Sequence, residues 1–131
     1  MYLLDTNIWL ELLLNQEKAK EVEQFLDFIK DSEIFISSFS LYSISIYLCR
    51  INKFDTLKSF INDLSENSVE VINTNLLEIH SIIEIEKSYD LDFDDALQYH
   101  VSTSNNLTLI SYDKDFEKTP LGRITPKNII I

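Results

Sequence analysis

Aspartates stand just behind two short apolar stretches at opposite ends of the chain. Asp5 follows "YLL", and Asp113 follows "LTLIS" in the segment "LTLISYDKDF". A third segment, "LDFDDALQYH", places Asp94 and Asp95 at the start of an apolar stripe with helical spacing. Carboxylates gathered in one crevice repel one another, so they need a cation to stay ionised together. If the fold brings these acids together, they make a metal site.

The residue types at this site narrow the choice of metal and reaction. Carboxylate oxygens, without histidine or cysteine, favour Mg²⁺ or Mn²⁺ over Zn²⁺. Mg²⁺ keeps several waters and is commonly completed by the phosphate oxygens of a substrate. The acids therefore indicate metal-dependent phosphoryl transfer or phosphodiester hydrolysis. For Asp94 and Asp95 a plainer interpretation also stands, because aspartates in a first helical turn often cap the helix and complement its dipole.

Four short apolar stretches predict the strands that position the acids. Segments with helical periodicity separate them, which is typical of crossover units and a mainly parallel sheet. In such a sheet the loops behind the carboxyl ends of the strands converge at one edge. The predicted fold is α/β, a three-layer α/β/α sandwich with a mainly parallel central sheet of four to five strands. The predicted strands are "YLL" at 2–4, "IFIS" at 34–37, "VEVI" at 69–72 and "LTLIS" at 107–111.

Apolar stripes at helical spacing predict the faces with which the helices cover this sheet. We expect these side chains to form the core rather than a cofactor site. The four stripes are Val22, Phe25, Leu26 and Ile29; Leu57, Phe60, Ile61 and Leu64; Leu76, Ile79 and Ile83; and Phe93, Ala96, Leu97, His100 and Val101.

The composition is that of a compact globular protein. The chain has 131 residues, 45% of them hydrophobic, which predicts a single domain over residues 1–131. The net charge of −11 repels phosphate backbones, so any binding of nucleic acid must be local, assisted by a metal or carried by a partner. No basic segment precedes an apolar run at the N-terminus. We expect a cytoplasmic protein with no membrane partner.

Four segments, in order along the chain, resemble the motifs of the PIN domain, the nuclease fold of VapC-type toxins in bacterial and archaeal toxin–antitoxin pairs. They are "LLDTNIWLELL", "ISSFSLYSISIYL", "LDFDDALQYH" and "LISYDKDF". Near the C-terminus, "ITPKNI" resembles the closing strand of the family and the proline after it. The resemblance implies a metal-dependent endoribonuclease that hydrolyses RNA with Mg²⁺ or Mn²⁺. It also implies the toxin of a toxin–antitoxin pair, with an antitoxin partner and a homodimeric assembly.

The motifs also imply which residues form the site. Asp5, Asp95 and Asp113 would be the catalytic acids that hold the metal. Thr6 and Asn7 would support the first loop, and they are also candidates to cap a helix that begins at Ile8. The full set of additional site residues is Thr6, Asn7, Ser43, Asp94, Ser111 and Asp115, of which Ser111 stands where the family usually has a threonine.

One position departs from the family pattern. The second motif normally ends in a glutamate, and aligning "ISSFSLYSI" places Ser43 there. A hydroxyl is a weak, neutral ligand, and losses at metal sites typically cost roughly 10- to 100-fold in affinity or activity. Two interpretations therefore remain: a nuclease with weaker metal affinity, and a non-catalytic PIN-fold interaction module. Three acids and a neighbouring pair favour the nuclease.

Two other classes of phosphate-handling α/β protein fit the sequence poorly. A phosphoacceptor receiver domain needs an acidic pair after its first strand and an acceptor aspartate after its third, where this chain has "VEVINTN". A haloacid-dehalogenase-like phosphatase needs an aspartate two residues after its nucleophile, and Asn7 occupies that position. Neither class accounts for the acids of this chain.

Overall fold

Four parallel strands form the centre of the fold. The computed structural model describes residues 1–30 and 32–130. The strands are β1 (Tyr2–Leu4), β2 (Ile34–Ser37), β3 (Glu70–Ile72) and β4 (Thr108–Ile110), in the order β3-β2-β1-β4. Each neighbouring pair is parallel. The predicted α/β fold with a parallel central sheet is confirmed, with β3 and β4 slightly shorter than their apolar stretches.

Helices connect the strands and cover both faces of the sheet. A short 3-10 helix, Lys114–Lys118, follows β4. Among the described residues, none of the helices has the length and hydropathy that a membrane span requires. The α-helices are α1 (Thr6–Leu13), α2 (Ala19–Phe28), α3 (Ser38–Arg50), α4 (Phe54–Glu66), α5 (Glu78–Tyr89), α6 (Phe93–Ser104) and α7 (Pro126–Ile129).

The sheet divides the apolar core into two layers because successive strand residues point to opposite faces. In register, Leu3 lies beside Phe35 and Leu109, and all three pack with α5 and α6. The opposite face packs against α1, α2, α3 and α4 and carries Leu4, Ile36 and Ile110. The result is the three-layer arrangement that the sequence predicted.

The apolar stripes predicted most of the buried helix faces but not their edges. On α5 the buried residue is Ile82, and Ile83 is exposed. Leu76 is 84% exposed because α5 begins only at Glu78. Apolar spacing alone leaves the rotation of a helix uncertain by about one residue. The predictions of buried Leu76 and Ile83 were therefore wrong, as were those of Ile61 and Phe93.

The closing strand expected at "ITPKNI" is a short helix in the structure. Pro126 stands at the first position of α7, where its fixed φ and missing N–H are tolerated. The side chain of Asn128 accepts a hydrogen bond from the backbone N–H of Thr125 at 2.8 Å, which closes the first turn. Before the helix, the Ile124 carbonyl accepts from the backbone N–H of Ser111 at 2.9 Å. The segment thus reaches the end of β4 without forming a fifth strand.

Candidate metal centre

Three acids from remote parts of the chain meet in one pocket at the carboxyl end of the sheet. Asp5 directly follows β1, Asp113 lies three residues after β4, and Asp95 lies in the first turn of α6. The pocket has a volume of about 300 Å³. It is lined by Asp5, Thr6, Asn7, Leu10, Phe39, Ser43, Asp94, Asp95, Gln98 and Asp113.

The carboxylates around Asp95 are close enough to share a cation. One oxygen each from Asp95, Asp113 and Asp115 lies within 4.8 Å of the others. Asp92, Asp94 and Asp95 form a second group that meets the same limit. Asp95 belongs to both groups, so it is the acid around which a cation would be held. Oxygen donors of this kind suit Mg²⁺ or Mn²⁺.

Asp5 is only 6% exposed, and hydrogen-bond donors surround its carboxylate. Its Oδ1 accepts from the backbone N–H of Thr6 and from Nε2 of Gln98, each at 2.8 Å. Its Oδ2 accepts from Oγ of Ser111 at 2.7 Å and from Nδ2 of Asn7 at 3.4 Å. Burial raises the pKa of Asp5 above its ordinary value, although the hydrogen bonds from Gln98, Ser111 and Thr6 oppose the rise. The carboxylate is thereby held in one orientation.

Asp95 carries the clearest electrostatic signature of a cation site. The pKa of Asp95 is raised to about 8. Burial is the largest cause, and repulsion from Asp113, Asp94 and Asp5 adds to it. A carboxyl with such a pKa retains a proton at neutral pH. A divalent cation placed among these acids would favour the ionised form and displace that proton. The donor set therefore fits Mg²⁺ or Mn²⁺ by charge as well as by ligand type.

Asn7 and Ser111 connect the loops that carry Asp5 and Asp113. Nδ2 of Asn7 donates to Oγ of Ser111 at 3.1 Å, and the backbone N–H of Asp113 donates to the same oxygen at 3.0 Å. Oδ1 of Asn7 accepts from the backbone N–H of Tyr112 at 3.1 Å. These hydrogen bonds tie the loop after β1 to the loop after β4.

The remaining predicted residues lie around the same pocket. Ser43, on α3, is half-buried and contributes a neutral hydroxyl to the wall. Asp94 is exposed, and its Oδ1 accepts from the backbone N–H of Asp95 at 3.0 Å, as in the capping interpretation. Asp5 caps α1, which begins at Thr6, so the predicted cap at Thr6 or Asn7 was wrong. Oγ of Thr6 lies 2.8 Å from Oγ of Ser40 instead.

Gln98 is the site residue that the sequence interpretation missed. It lies on α6, 1% exposed, and Nε2 donates both to Asp5 and, at 2.7 Å, to Oγ of Ser40. Its Oε1 accepts from Oγ of Ser37 at 2.7 Å. Gln98 stands outside the apolar stripe predicted for this segment, so helical spacing did not indicate its burial. In the structure every residue of α6 from Asp95 to Ser102 is buried, and a polar group in such a place must find partners.

Solved structures share this fold over nearly their whole length. A toxin–antitoxin complex from Klebsiella pneumoniae has a TM-score of 0.76 and 24% identity, covering 96% of this chain and 98% of that one. VapC20 from Mycobacterium tuberculosis, a toxin that cleaves the sarcin–ricin loop, has a TM-score of 0.75 and 17% identity, covering 89% and 93%. FitAcB from Neisseria gonorrhoeae has a TM-score of 0.72 and 16% identity, covering 98% and 100%. At these identities, the likeness shows a common fold.

Sequence comparison identifies the family. Among curated proteins, none matches the chain. The family model of the PIN domain, however, matches residues 2–121 of the 131. Because this match spans nearly the whole sequence, the chain belongs to the PIN domain family.

Proposed function

We propose that this chain is a metal-dependent endoribonuclease and the toxin of a toxin–antitoxin pair, with Asp5, Asp95 and Asp113 as its catalytic acids. The observation that carries the proposal is the meeting of these three acids, from remote segments, in one pocket. Membership of the PIN domain family and the fold shared with a VapC toxin support nuclease chemistry. The preferred cofactor is Mg²⁺ or Mn²⁺, because the candidate ligands are carboxylates.

The acids of the pocket would have two roles in hydrolysis, binding the cation and activating the attacking water. Asp95, Asp113 and Asp115 would hold the cation, since one oxygen of each lies within 4.8 Å of the others. Asp5 belongs to neither of the two close groups, but it lines the same pocket and would complete the site. When bound, the cation would supply a more acidic water and neutralise charge on the scissile phosphate. Asp95 or Asp113 would orient that water or take its proton. In-line attack would expel the 3′-oxygen and leave a 5′-phosphate on the downstream RNA.

The charge of the protein makes the cation important for RNA binding as well as for chemistry. The chain carries a net charge of −11, which repels an RNA backbone. At the pocket, Asp92, Asp94 and Asp115 add to this repulsion around the three central acids. We therefore expect RNA binding near the site to strengthen as the divalent cation concentration rises.

The proposal includes two protein partners. The acidic surface would attract a basic segment of an antitoxin by charge, and the solved relatives include toxin–antitoxin complexes. On α3, the exposed side chains of Tyr42 and Ile46 are four residues apart, so they lie on one face of the helix and form an apolar and aromatic patch. Patches of this composition are typical of protein interfaces. We assign this patch to a homodimer contact.

The direct test is cleavage of single-stranded and structured RNA by the purified chain in Mn²⁺ and in EDTA. Wild type is expected to cleave only with Mn²⁺, and Asp95→Asn to lose at least about 100-fold in rate because it removes a central ligand. Asp27→Asn, at an exposed aspartate on α2, is the control with the same substitution away from the pocket.

Ser43→Glu separates the two candidate functions. It restores the usual acid of the second motif to the pocket wall, so Mn²⁺ affinity and cleavage are expected to rise about 10-fold. If neither wild type nor Ser43→Glu cleaves any RNA with Mn²⁺, the catalytic proposal is wrong. The PIN-fold interaction module would then be the better description.

A further inference from the structure

Gln98 lines the pocket of the acids and donates a hydrogen bond to one of them, Asp5. We propose that Gln98 is a positioning residue, which fixes the carboxylate of Asp5 relative to α6 and so holds the acids in one arrangement for the divalent cation. This inference rests on the proposed function of the same pocket. The side-chain amide of Gln98 makes three buried hydrogen bonds.

The neighbours of Gln98 allow its side-chain amide one orientation. Oγ of Ser37 accepts from the backbone N–H of Ser40 at 3.1 Å, as the cap of α3, and donates its own proton to Oε1 of Gln98. Nε2 is therefore left to donate to Oδ1 of Asp5 and to Oγ of Ser40. A reversed amide would place its oxygen against the carboxylate of Asp5, with no proton between two acceptors.

The position of Gln98 in α6 explains why this bond affects the site. Asp95 and Gln98 are three residues apart and lie on the same face of the helix. The bond from Gln98 to Asp5 therefore ties the helix that carries Asp95 to the loop that carries Asp5. Without it, Oδ1 of Asp5 would keep one donor, the backbone N–H of Thr6.

Burial makes the contact effective. Gln98 and Ser37 are each 1% exposed and Ser40 is fully buried, so water does not compete for these hydrogen bonds. A buried network in which every member has its partner holds its side chains in one arrangement.

The test is Mn²⁺ binding by calorimetry and RNA cleavage by Gln98→Met, which keeps a similar length and removes both donors. We expect the Kd for Mn²⁺ to rise about 10-fold, the usual scale for loss of a residue that orients a metal ligand. Ser102→Ala is the matched control. Ser102 is equally buried on α6 but donates to the carbonyl of Tyr99. The Kd of Ser102→Ala for Mn²⁺ is expected to stay within about twofold of wild type, since the bond from Ser102 to Tyr99 involves no acid of the pocket.

A double-mutant cycle separates positioning from general stability. In an Asp5→Asn background, Gln98→Met is expected to change the Kd for Mn²⁺ by less than about twofold, because its effect passes through Asp5. The same 10-fold loss in both backgrounds would show a structural role and overturn the proposal. So would an unchanged Kd for Gln98→Met in an otherwise wild-type chain.

The wild type itself distinguishes failure of the inference from failure of the proposed function. If wild type binds no Mn²⁺, both the metal centre and the positioning role of Gln98 are wrong. If wild type and Gln98→Met bind Mn²⁺ with the same Kd, only the positioning role of Gln98 is wrong. If Gln98→Met does not fold, the side-chain amide resonances of Gln98 provide a second measurement. They are expected to shift with Mg²⁺ and with Asp5→Asn but not with Ser102→Ala, and unmoved resonances would overturn the proposal.

Discussion

Asp95→Asn is expected to stabilise the metal-free protein at neutral pH while destroying its metal site. The pKa of Asp95 rises from 3.8 to about 8 in the folded state. Between these values the folded protein binds a proton that the unfolded chain has released. The stability that this extra proton on Asp95 gives to the folded state is therefore fully present below pH 3.8, and it is lost as the pH rises through 8.

The size of the effect follows from proton linkage. When the folded state holds one proton more than the unfolded state, the free energy of unfolding falls by about 1.4 kcal/mol for each unit by which the pH rises. From pH 5 to pH 7, wild type should lose about 2.7 kcal/mol relative to Asp95→Asn, which cannot titrate at this position. For a chain of this length that is about 10 °C in melting temperature. The raised pKa of Asp5 acts in the same direction in both proteins.

The assay is urea denaturation in EDTA between pH 5 and pH 8, followed by circular dichroism, with Asp27→Asn as the control. The difference in unfolding free energy between Asp95→Asn and wild type should grow with pH. Saturating Mg²⁺ should reverse the order, because a cation that binds only the folded state stabilises wild type. If the difference in unfolding free energy between the two proteins does not change with pH in EDTA, the acids do not repel one another as proposed.

Three further outcomes follow from the same contacts. Ser111→Ala removes the hydroxyl that donates to Asp5 and accepts from Asn7. The kcat/KM for cleavage should therefore fall roughly 10- to 100-fold in Ser111→Ala and be retained in Ser111→Thr, which keeps a hydroxyl. Equal rates for the two variants would contradict this. Binding of Mg²⁺ at pH 7 should release about one proton per ion, measured by calorimetry in buffers of different ionisation enthalpy, because the pKa of Asp95 is about 8 without the cation. Tyr42→Glu places a charge in the exposed α3 patch and should shift sedimentation toward the monomer, and an unchanged assembly would exclude this patch as the dimer contact.

The parallel sheet and the meeting of the acids could be predicted because both depend on local pattern and on topology. Short apolar stretches alternating with helical periods give parallel strands, and parallel strands place Asp5 and Asp113 at the same edge. These two inferences need only the order of the elements along the chain. The choice of Asp95 depends on the resemblance to the PIN domain motifs, because Asp94 lies in the same first helical turn and helix capping explains either residue.

The contacts of Gln98 and the shape of the C-terminal segment lie beyond such reasoning. The partners Ser37 and Ser40 are 61 and 58 residues away from Gln98, and nothing in the local sequence specifies that pairing. At "ITPKNI", a threonine before a proline fits the end of a strand and also the cap of a helix. Tertiary context selects the helix, and here the side chain of Asn128 closes its first turn.

The central claim is that Asp5, Asp95 and Asp113 share one divalent cation. Calorimetric titration of Mn²⁺ into wild type, Asp113→Asn and Asp27→Asn tests it most directly. One binding site is predicted in wild type and in Asp27→Asn, with affinity at least about 10-fold weaker in Asp113→Asn. Equal Mn²⁺ affinity in Asp113→Asn and wild type would contradict the claim.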